Sequence, residues 1–588
     1  MADKQWLARY GTSIYAIGSI AMLLVALGGA IVRGASVGVG VYVWFLYTLC
    51  SVPLLVLKRL NGRYALLGIF MGLYFVFFGA LDFQHLLLGS DMPEPERDGF
   101  LTTAECAILL SAVLVLCGYF AGSRAGEREE RTSVLAEWPT SVMLLVGVSL
   151  WLLGTAAMIY FQVFVSPEKT MYSAHRGMAA MGPLLTFVVM LGHMMQPLGI
   201  LILSYGYARH RGPLWTTLIL AVVSLQVAVG FVEDVKIQAI MGGALVIMCR
   251  TLVDNRLPKG WIFGGILFII FAFPVFQAYR EEVAGARGLD RAQAFRQLDK
   301  VIEIALASRE KVSEGHTGQR AQTFIERASG KESLELLFQH VGYDVNLLYG
   351  RSLMAVPMAF VPRLLVPDKE DISVGQLFTK EVLKSDTDTY ISISNLGELY
   401  WNFGWPAVFL GMPLIGLLLG FVGTRFNLEN GTSLTRVLVL LVTAQTLCMG
   451  FGGTIPIAYI VWSRSMAAIG LMHLIFARRL TSSASSMGTE SPMGTGSPTD
   501  PVADPPSGKS GSILPISVRF PAATDSPSTE SAPVISLPVR FPAAIRELGA
   551  GGARPALPGA HFPAAIGEPG PNGARLPLPG PRFPNLMR

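Results

Sequence analysis

The sequence predicts an all-α integral membrane protein of about twelve transmembrane helices, with one large extracytoplasmic loop that contains helices of its own and a disordered C-terminal tail. Three observations predict it. Charged residues make up 15% of the chain and hydrophobic residues 52%, whereas a soluble domain carries about 25% charged residues. The apolar residues gather in runs of about 20, the length that crosses the hydrocarbon core of a bilayer. Lys and Arg cluster at alternate junctions between those runs, as the orientation of membrane helices requires.

The apolar runs lie near 12–32, 38–57, 64–81, 104–122, 141–165, 183–207, 214–232, 236–253, 261–279, 403–423, 435–455 and 457–476. The divisions at 233 and 456 separate runs with almost no connection between them. Lys4 and Arg9 precede the first run. Lys58, Arg59 and Arg63 follow the second, and Arg124, Arg128 and Arg131 the fourth. Arg209 and Arg211 follow the sixth, Arg250, Arg256 and Lys259 the eighth, Arg425 the tenth, and Arg478 and Arg479 the twelfth. Those junctions are therefore cytoplasmic, as are both termini. The acidic stretch DFQHLLLGSDMPEPERDG falls outside. The first run is long enough to span and carries no small-residue cleavage site, so no cleavable signal peptide is expected.

The chain then divides into a nine-helix membrane bundle (1–279), an extracytoplasmic loop with amphipathic and interfacial helices (280–402), the last three membrane helices (403–480) and a cytoplasmic tail (481–588). The loop opens with the charged, helix-periodic YREEVAGARGLDRAQAFRQLDKVIEIALASREK. It later carries RSLMAVPMAFVPRLLVPDKE, apolar but short and broken by proline, a pattern suited to the interface. The tail is rich in Pro, Gly and Ser and repeats loosely as VRFPAATDS, VRFPAAIRE, HFPAAIGEP and PRFPNLMR. Its apolar content is too low to build a core. The RFPAA repeat is read as repeat expansion, with a docking motif as the alternative. The five cysteines, Cys50, Cys106, Cys117, Cys249 and Cys448, lie in or beside apolar runs without metal or disulfide spacing. The net charge of +5 reflects membrane orientation rather than nucleic-acid binding.

Charged groups that break the apolar pattern cost roughly 2.5 to 3.5 kcal/mol each at a helix centre, so they mark sites to consider. On the outer side these are His175 and Arg176 in MYSAHRGM, Glu233, Asp234 and Lys236 in FVEDVKIQ, Arg280 in FQAYREE, and Arg464 within the twelfth run in IVWSRSMA. His175 and Arg176 equally suit a solvated loop. Lys236 could pair with Glu233 or Asp234, and Arg280 with Glu281 or Glu282. Arg464, within a span, needs a partner or an aqueous cavity. Together these cations suit an anionic, phosphate-bearing substrate at the outer leaflet. The stretch SISNLGELYWNFGWPAVFLGMPLIGLLLGF adds a second set. Glu398 is placed to accept a proton from an attacking hydroxyl, and Asn402 to hydrogen-bond a sugar hydroxyl. Tyr400, Trp401 and Trp405 suit an interface belt or sugar stacking. A structural pairing of Glu398 with Arg464 or Arg363 is the alternative to catalysis.

Residues 357–421, PMAFVPRLLVPDKE followed by TDTYISISNLGELYWNFGWPAVFLGMPLIGLLLG, resemble the Wzy-type oligosaccharide repeat-unit polymerases, which include the O-antigen and exopolysaccharide polymerases. The shared features are a Pro-Arg pair leading to Pro-Asp-Lys, a Ser-rich approach, and Gly-Glu-x-Tyr-x-Asn-Phe-Gly-Trp entering a Gly-rich span. The layout matches over roughly residues 10–480. Pro406 departs from the small residue the pattern favours there, at a helix start where proline costs little. The resemblance implies a glycosyltransferase of the bacterial inner membrane that moves a growing glycan from its polyprenyl diphosphate onto a new lipid-linked repeat unit at the outer face. It implies no metal or cofactor, so protein cations would neutralise the leaving diphosphate: Arg280, Lys236 and Arg176, assisted by Arg363 or Arg464. Glu398 would be the general base, with Asn402, His175 and Tyr400 positioning sugars. The partners implied are the polyprenyl-diphosphate-linked oligosaccharide, membrane lipid, a flippase and a chain-length regulator. The rival activities are a glycan ligase of the same membrane class, a flippase or transporter for the lipid-linked unit, and a structural member of an envelope assembly. The two halves show no convincing internal repeat of the kind transporters carry.

Overall fold

The computed structural model describes residues 6–33, 36–56, 62–88, 100–128, 137–160, 183–232, 236–268, 330–358, 361, 374–385, 391–429 and 432–486. The chain divides into two units, Met1–Met493 and Gly494–Arg588, and every described residue belongs to the first. The described residues are helical apart from turns and one isolated bridge between Val341 and Val345. In chain order the helices are α1 (Trp6–Arg33), α2 (Val37–Ser51), α3 (Ala65–Leu88), α4 (Thr103–Arg128), α5 (Thr140–Tyr160), α6 (Pro183–His210), α7 (Pro213–Val232) and α8 (Lys236–Asp254). They continue with α9 (Lys259–Phe268), α10 (Lys331–His340), α11 (Val374–Glu381), α12 (Ser394–Phe403), α13 (Trp405–Arg425), α14 (Leu434–Thr443) and α15 (Ile455–Ser486).

Among the described residues, nine helices are long and apolar enough to cross a membrane. They lie at α1, α2, α3, α4, α5, α7, α13, α14 with its continuation, and α15. Helices α6 and α8 lie where the sixth and eighth apolar runs fall, and α9 covers the start of the ninth. The twelve expected runs thus all meet helical chain, while nine of them meet the length and hydropathy of a span. Three departures from the sequence expectation stand out. Helix α3 continues to Leu88 instead of ending near 81, because Asp82 finds a buried partner, described below, and the apolar Leu86, Leu87 and Leu88 extend the run. The eleventh run is not one regular helix: α14 passes at Ala444 into a π turn, then at Met449 into a 3₁₀ turn that ends at Gly452. Helix α15 runs past 480, where the tail was expected to begin. The rest of the tail, with its RFPAA repeats, lies outside the described residues, as does all of 280–329.

Glycine decides how closely the spans approach. In GYFAGSRAG of α4, a Cβ added at Gly118 would meet the backbone of Pro413, and one at Gly122 the backbone of Leu417, both in α13. The same holds in reverse, since Gly416 and Gly420 of α13 face the backbone of Val115 and Tyr119. Small residues spaced by four place their bare faces on one side of each helix, so the two backbones touch directly. Thr424 Oγ1 also bonds Ser123 Oγ at 2.9 Å across this seam. A second seam joins α5 and α6, where Gly154 lies against Gln196 and Gly199 against Trp151, and Gln196 Nε2 donates to Thr155 Oγ1 at 3.2 Å.

The segment before the last three spans is folded back on this bundle. Helix α10 presents Leu334 and Leu337 to Gly397 of α12, and Phe338 packs against Tyr400 and Trp405 with ring centroids 4.3 and 5.6 Å apart. Helices α12 and α13 meet at Gly404, whose φ of 66° is a left-handed conformation that favours glycine. Pro406 follows within the first turn of α13, where the missing N–H is harmless.

Replacing Gly122 by Ala should therefore force α4 from α13 and cost about 1–3 kcal/mol, the range for overpacking. Gly72→Ala, where no atom lies within 4 Å of the added carbon, should change stability by less than about 0.5 kcal/mol. Thermal unfolding of the two purified variants in detergent, read by size-exclusion chromatography, separates these outcomes.

Candidate functional site

Two buried polar clusters stand out, and sequence reasoning found only one. The first lies on α12. This helix starts at Ser394, held at φ 62°, and ends at Gly404, and most of its residues are buried. Its last carbonyls are met by the segment after α10: Leu348 N–H donates to Trp401 O and Tyr349 N–H to Asn402 O, both at 2.9 Å. These bonds satisfy acceptors that a helix end leaves open. Trp401 Nε1 donates to Asn346 O at 3.1 Å.

Asn395, Glu398 and Asn402 follow at i, i+3 and i+7, so they share one face of α12, and all three are buried. Glu398 Oε1 accepts the Ser352 hydroxyl at 2.6 Å. Glu398 Oε2 accepts the backbone N–H of Ile455 at 2.7 Å. Ile455 is the first residue of α15, whose N-terminal end favours a negative group. Asn402 Nδ2 donates to Ser352 Oγ at 2.7 Å and to Glu398 O at 2.8 Å. The carbonyl oxygens of Asn395 and Asn402 and the hydroxyl of Ser392 are buried with no hydrogen-bond partner among the described residues. Burial raises the Glu398 carboxyl from 4.5 to about 7, against the opposing bonds from Ser352 and Ile455. A carboxyl poised there exchanges its proton near neutrality, as a general acid or base must.

The other expected site residues fare differently. The sequence alternative of an ionic partner for Glu398 in Arg464 is corrected: the contacts that hold Glu398 are a hydroxyl and a backbone N–H. Arg464 lies half-buried within α15, beside the buried Ser465. Trp401 is fully buried, which removes it from both the belt and the stacking roles; α10 and the 346–352 segment close over that side of α12. Tyr400 is half-buried, packed on Phe338 and Trp405. Lys236 opens α8, and its side chain lies outside the described residues. So do His175, Arg176, Arg280 and Arg363. The described part of the structure therefore carries Glu398, Asn402 and Tyr400 on one short helix and places Arg464 within α15, while the side chains of His175, Arg176, Lys236, Arg280 and Arg363 lie outside it.

The second cluster surrounds Lys331, the first residue of α10. Its ammonium lies 2.9 Å from Asp82 Oδ2 on α3 and 2.8 Å from Glu105 Oε1 on α4. It also sits 4.8 Å from the centre of the Tyr42 ring on α2, a cation–π distance. Glu105 is itself held by a reciprocal cap: its Oε2 accepts from Thr102 N–H at 3.0 Å, and its own N–H donates to Thr102 Oγ1 at 3.2 Å. Thr102 Oγ1 also donates to Glu335 Oε1 at 3.3 Å. Burial lowers the Lys331 pKa, but the charges of Asp82 and Glu105 outweigh it and hold the group above its ordinary value. Burial raises the Glu335 carboxyl, with Lys331 opposing. The sequence carried two signals for this cluster: TTAE at 102–105 has the spacing of a capping box, and Asp82 follows directly on the apolar stretch ALLGIFMGLYFVFFGAL. What it did not carry was the distant cation.

Compared with protein-family models, with curated proteins and with solved structures, the chain matches none.

Removing one member of a buried ion cluster leaves charges without a counterion, so Lys331→Ala should destabilise the protein by about 3–5 kcal/mol. The triple variant Lys331→Met, Asp82→Asn, Glu105→Gln should recover more than half of that loss in the same thermal assay. For Glu398 the sign runs the other way from a salt-bridged carboxylate. Its proton is held more tightly in the folded chain, so folding weakens as pH climbs from 4.5 to about 7 and is level above that. Glu398→Gln should remove this slope, seen as a wild-type advantage that shrinks across that interval.

Proposed function

We propose that the protein is a polymerase of polyprenyl-diphosphate-linked oligosaccharide repeat units, acting at the outer face of a bacterial inner membrane. The observation that carries this proposal is the α12 face, where a carboxyl titrating at about 7 shares a buried network with Asn402 and Ser352. That face lies in the stretch whose residues resemble the Wzy-type enzymes. In this proposal the chain crosses the membrane twelve times with both termini in the cytoplasm. The segment joining the ninth and tenth spans faces outward.

Glu398 takes the proton of the acceptor hydroxyl, with Ser352, already hydrogen-bonded to it, as the group through which that proton passes. Both residues are enclosed, so the working form lifts the 346–352 segment from α12 to admit the acceptor. Asn402, His175 and Tyr400 orient sugars. Arg280, Lys236 and Arg176, with Arg363 or Arg464, neutralise the departing diphosphate. A flippase supplies the lipid-linked unit and a chain-length regulator sets polymer size. One observation favours a different role for the carboxylate: its bond to Ile455 N–H caps α15, which would make Glu398 a structural tie between the loop and the last span.

The lipid-linked glycan profile of a strain lacking the protein tests the activity. Single repeat units held on the carrier at the outer face, with long polymer lost, is the expected result. Long chains still on the carrier would indicate a ligase, and single units retained on the cytoplasmic face a flippase. Restoring the Glu398→Gln variant should leave polymer at least tenfold below wild type at equal membrane level. Wild-type polymer from that variant would assign Glu398 to the structural role.

A further inference from the structure

The described residues outside the spans carry one group of large apolar side chains turned outward. Tyr343 and Tyr349 are 82% and 74% exposed, Met354 56% and Phe403 46%. Tyr349, Met354 and Phe403 are neighbours in space as well as in exposure, and Tyr343 lies near enough to Tyr400, on the same helix as Phe403, for the two phenols to interact. Tyr349 N–H donates to Asn402 O, one residue before Phe403. Gly350, at φ 84°, lies against the Phe403 ring, so closely that an added Cβ would stand 2.7 Å from Phe403 Cζ. Met354 N–H donates to Gly350 O at 2.9 Å. The group thus surrounds the elbow between α12 and α13.

What covers this surface follows from what it continues into. Trp405 begins a membrane span two residues after Phe403, and that span turns Phe409, Leu410 and Leu414 outward, the side chains that meet lipid. One apolar surface therefore runs from the lipid face of α13, over Gly404, to Tyr349. Its composition changes on the way, from Leu and Phe to Tyr and Met, as at a membrane boundary, where a ring is buried and its hydroxyl stays wet. Beyond Tyr343 the surface becomes charged: Asp344 pairs with His340 and Lys384, each at 2.9 Å, and Lys384 is well exposed.

We propose that Tyr343, Tyr349, Met354 and Phe403 seat the 341–358 segment in the headgroup boundary of the lipid bilayer, fixing the polar face of α12 at the depth of the membrane surface. The partner is the bilayer itself. This placement does not depend on the activity proposed above, and its test reads no activity.

The full-length chain, with its five cysteines replaced by serine, is reconstituted in phosphatidylcholine–phosphatidylglycerol vesicles. A nitroxide is attached at Tyr349→Cys or Phe403→Cys, with Leu410→Cys as the lipid reference and Lys384→Cys as the water reference. Collision with oxygen and with a water-soluble nickel chelate is measured by electron paramagnetic resonance. The expected oxygen-to-nickel ratio at both test sites lies between the two references. A ratio equal to that of Lys384→Cys places the segment in water and overturns the proposal. Shielding from both reagents assigns the surface to a protein partner and also overturns it. Should the cysteine-free chain not fold, the unmodified protein serves. A phospholipid with a diazirine near its headgroup should then label the tryptic peptide 332–351, and an unlabelled peptide overturns the proposal.

Discussion

The ammonium of Lys331, enclosed by the carboxylates of Asp82 and Glu105, fixes the relation between the bundle and everything that follows it. Asp82 belongs to α3 and Glu105 to α4, and Lys331 opens the helix that returns to them. A buried charge of this kind is expensive to create and more expensive to break, so it holds α10 in one place. The consequences pass along the helix in register. Leu334 and Leu337, one and two turns on, form the surface on which Gly397 of α12 rests, and Phe338 fixes Tyr400 and Trp405. The position of Glu398 is set in this way by a cation it never touches.

How far the sequence anticipated this differs by element, for physical reasons. Spans were legible because a bilayer imposes a length and a composition that soluble cores do not, and among the described residues nine of the twelve expected runs meet helices long and apolar enough to cross a membrane. The end of α3 was not legible, since Asp82 looks like a loop residue until its partner across the chain is known. The eleventh run read as one helix because hydropathy does not register the extra residue of a π turn at Ala444–Cys448. Within the candidate site, Glu398 and Asn402 drew notice as polar residues beside a span, and the structure places them on one buried face. The aromatics were read less well. Trp401 looked like a belt residue by type, yet α12 faces inward at that position, and the outward rings belong to Tyr343, Tyr349 and Phe403. Pattern along one helix reveals which residues are alike, whereas which of them face outward depends on packing between helices remote in sequence.

Glu398 illustrates how one geometry serves two chemistries. Its bonds to Ser352 and Ile455 tie three separate parts of the chain together, as a cap would. The same enclosure removes water and lifts the carboxyl towards neutrality, as a proton-transfer group would need. The buried carbonyl oxygens of Asn395 and Asn402 add acceptors on the same face, where hydroxyl donors would complete them.

The seam between α4 and α13 also bears on how the chain is made. Its halves are far apart in synthesis: Ser123 and Thr424, bonded across it, are separated by 301 residues. When α4 enters the membrane its row of glycines has no protein to meet, and lipid chains fill the shallow groove they leave. Helix α13 arrives only after most of the bundle is in place and must displace that lipid to bring backbone against backbone. Biogenesis therefore includes a late closing step inside the bilayer. Until it occurs, the translocation machinery and membrane proteases meet a nascent protein with an open glycine face on its fourth span.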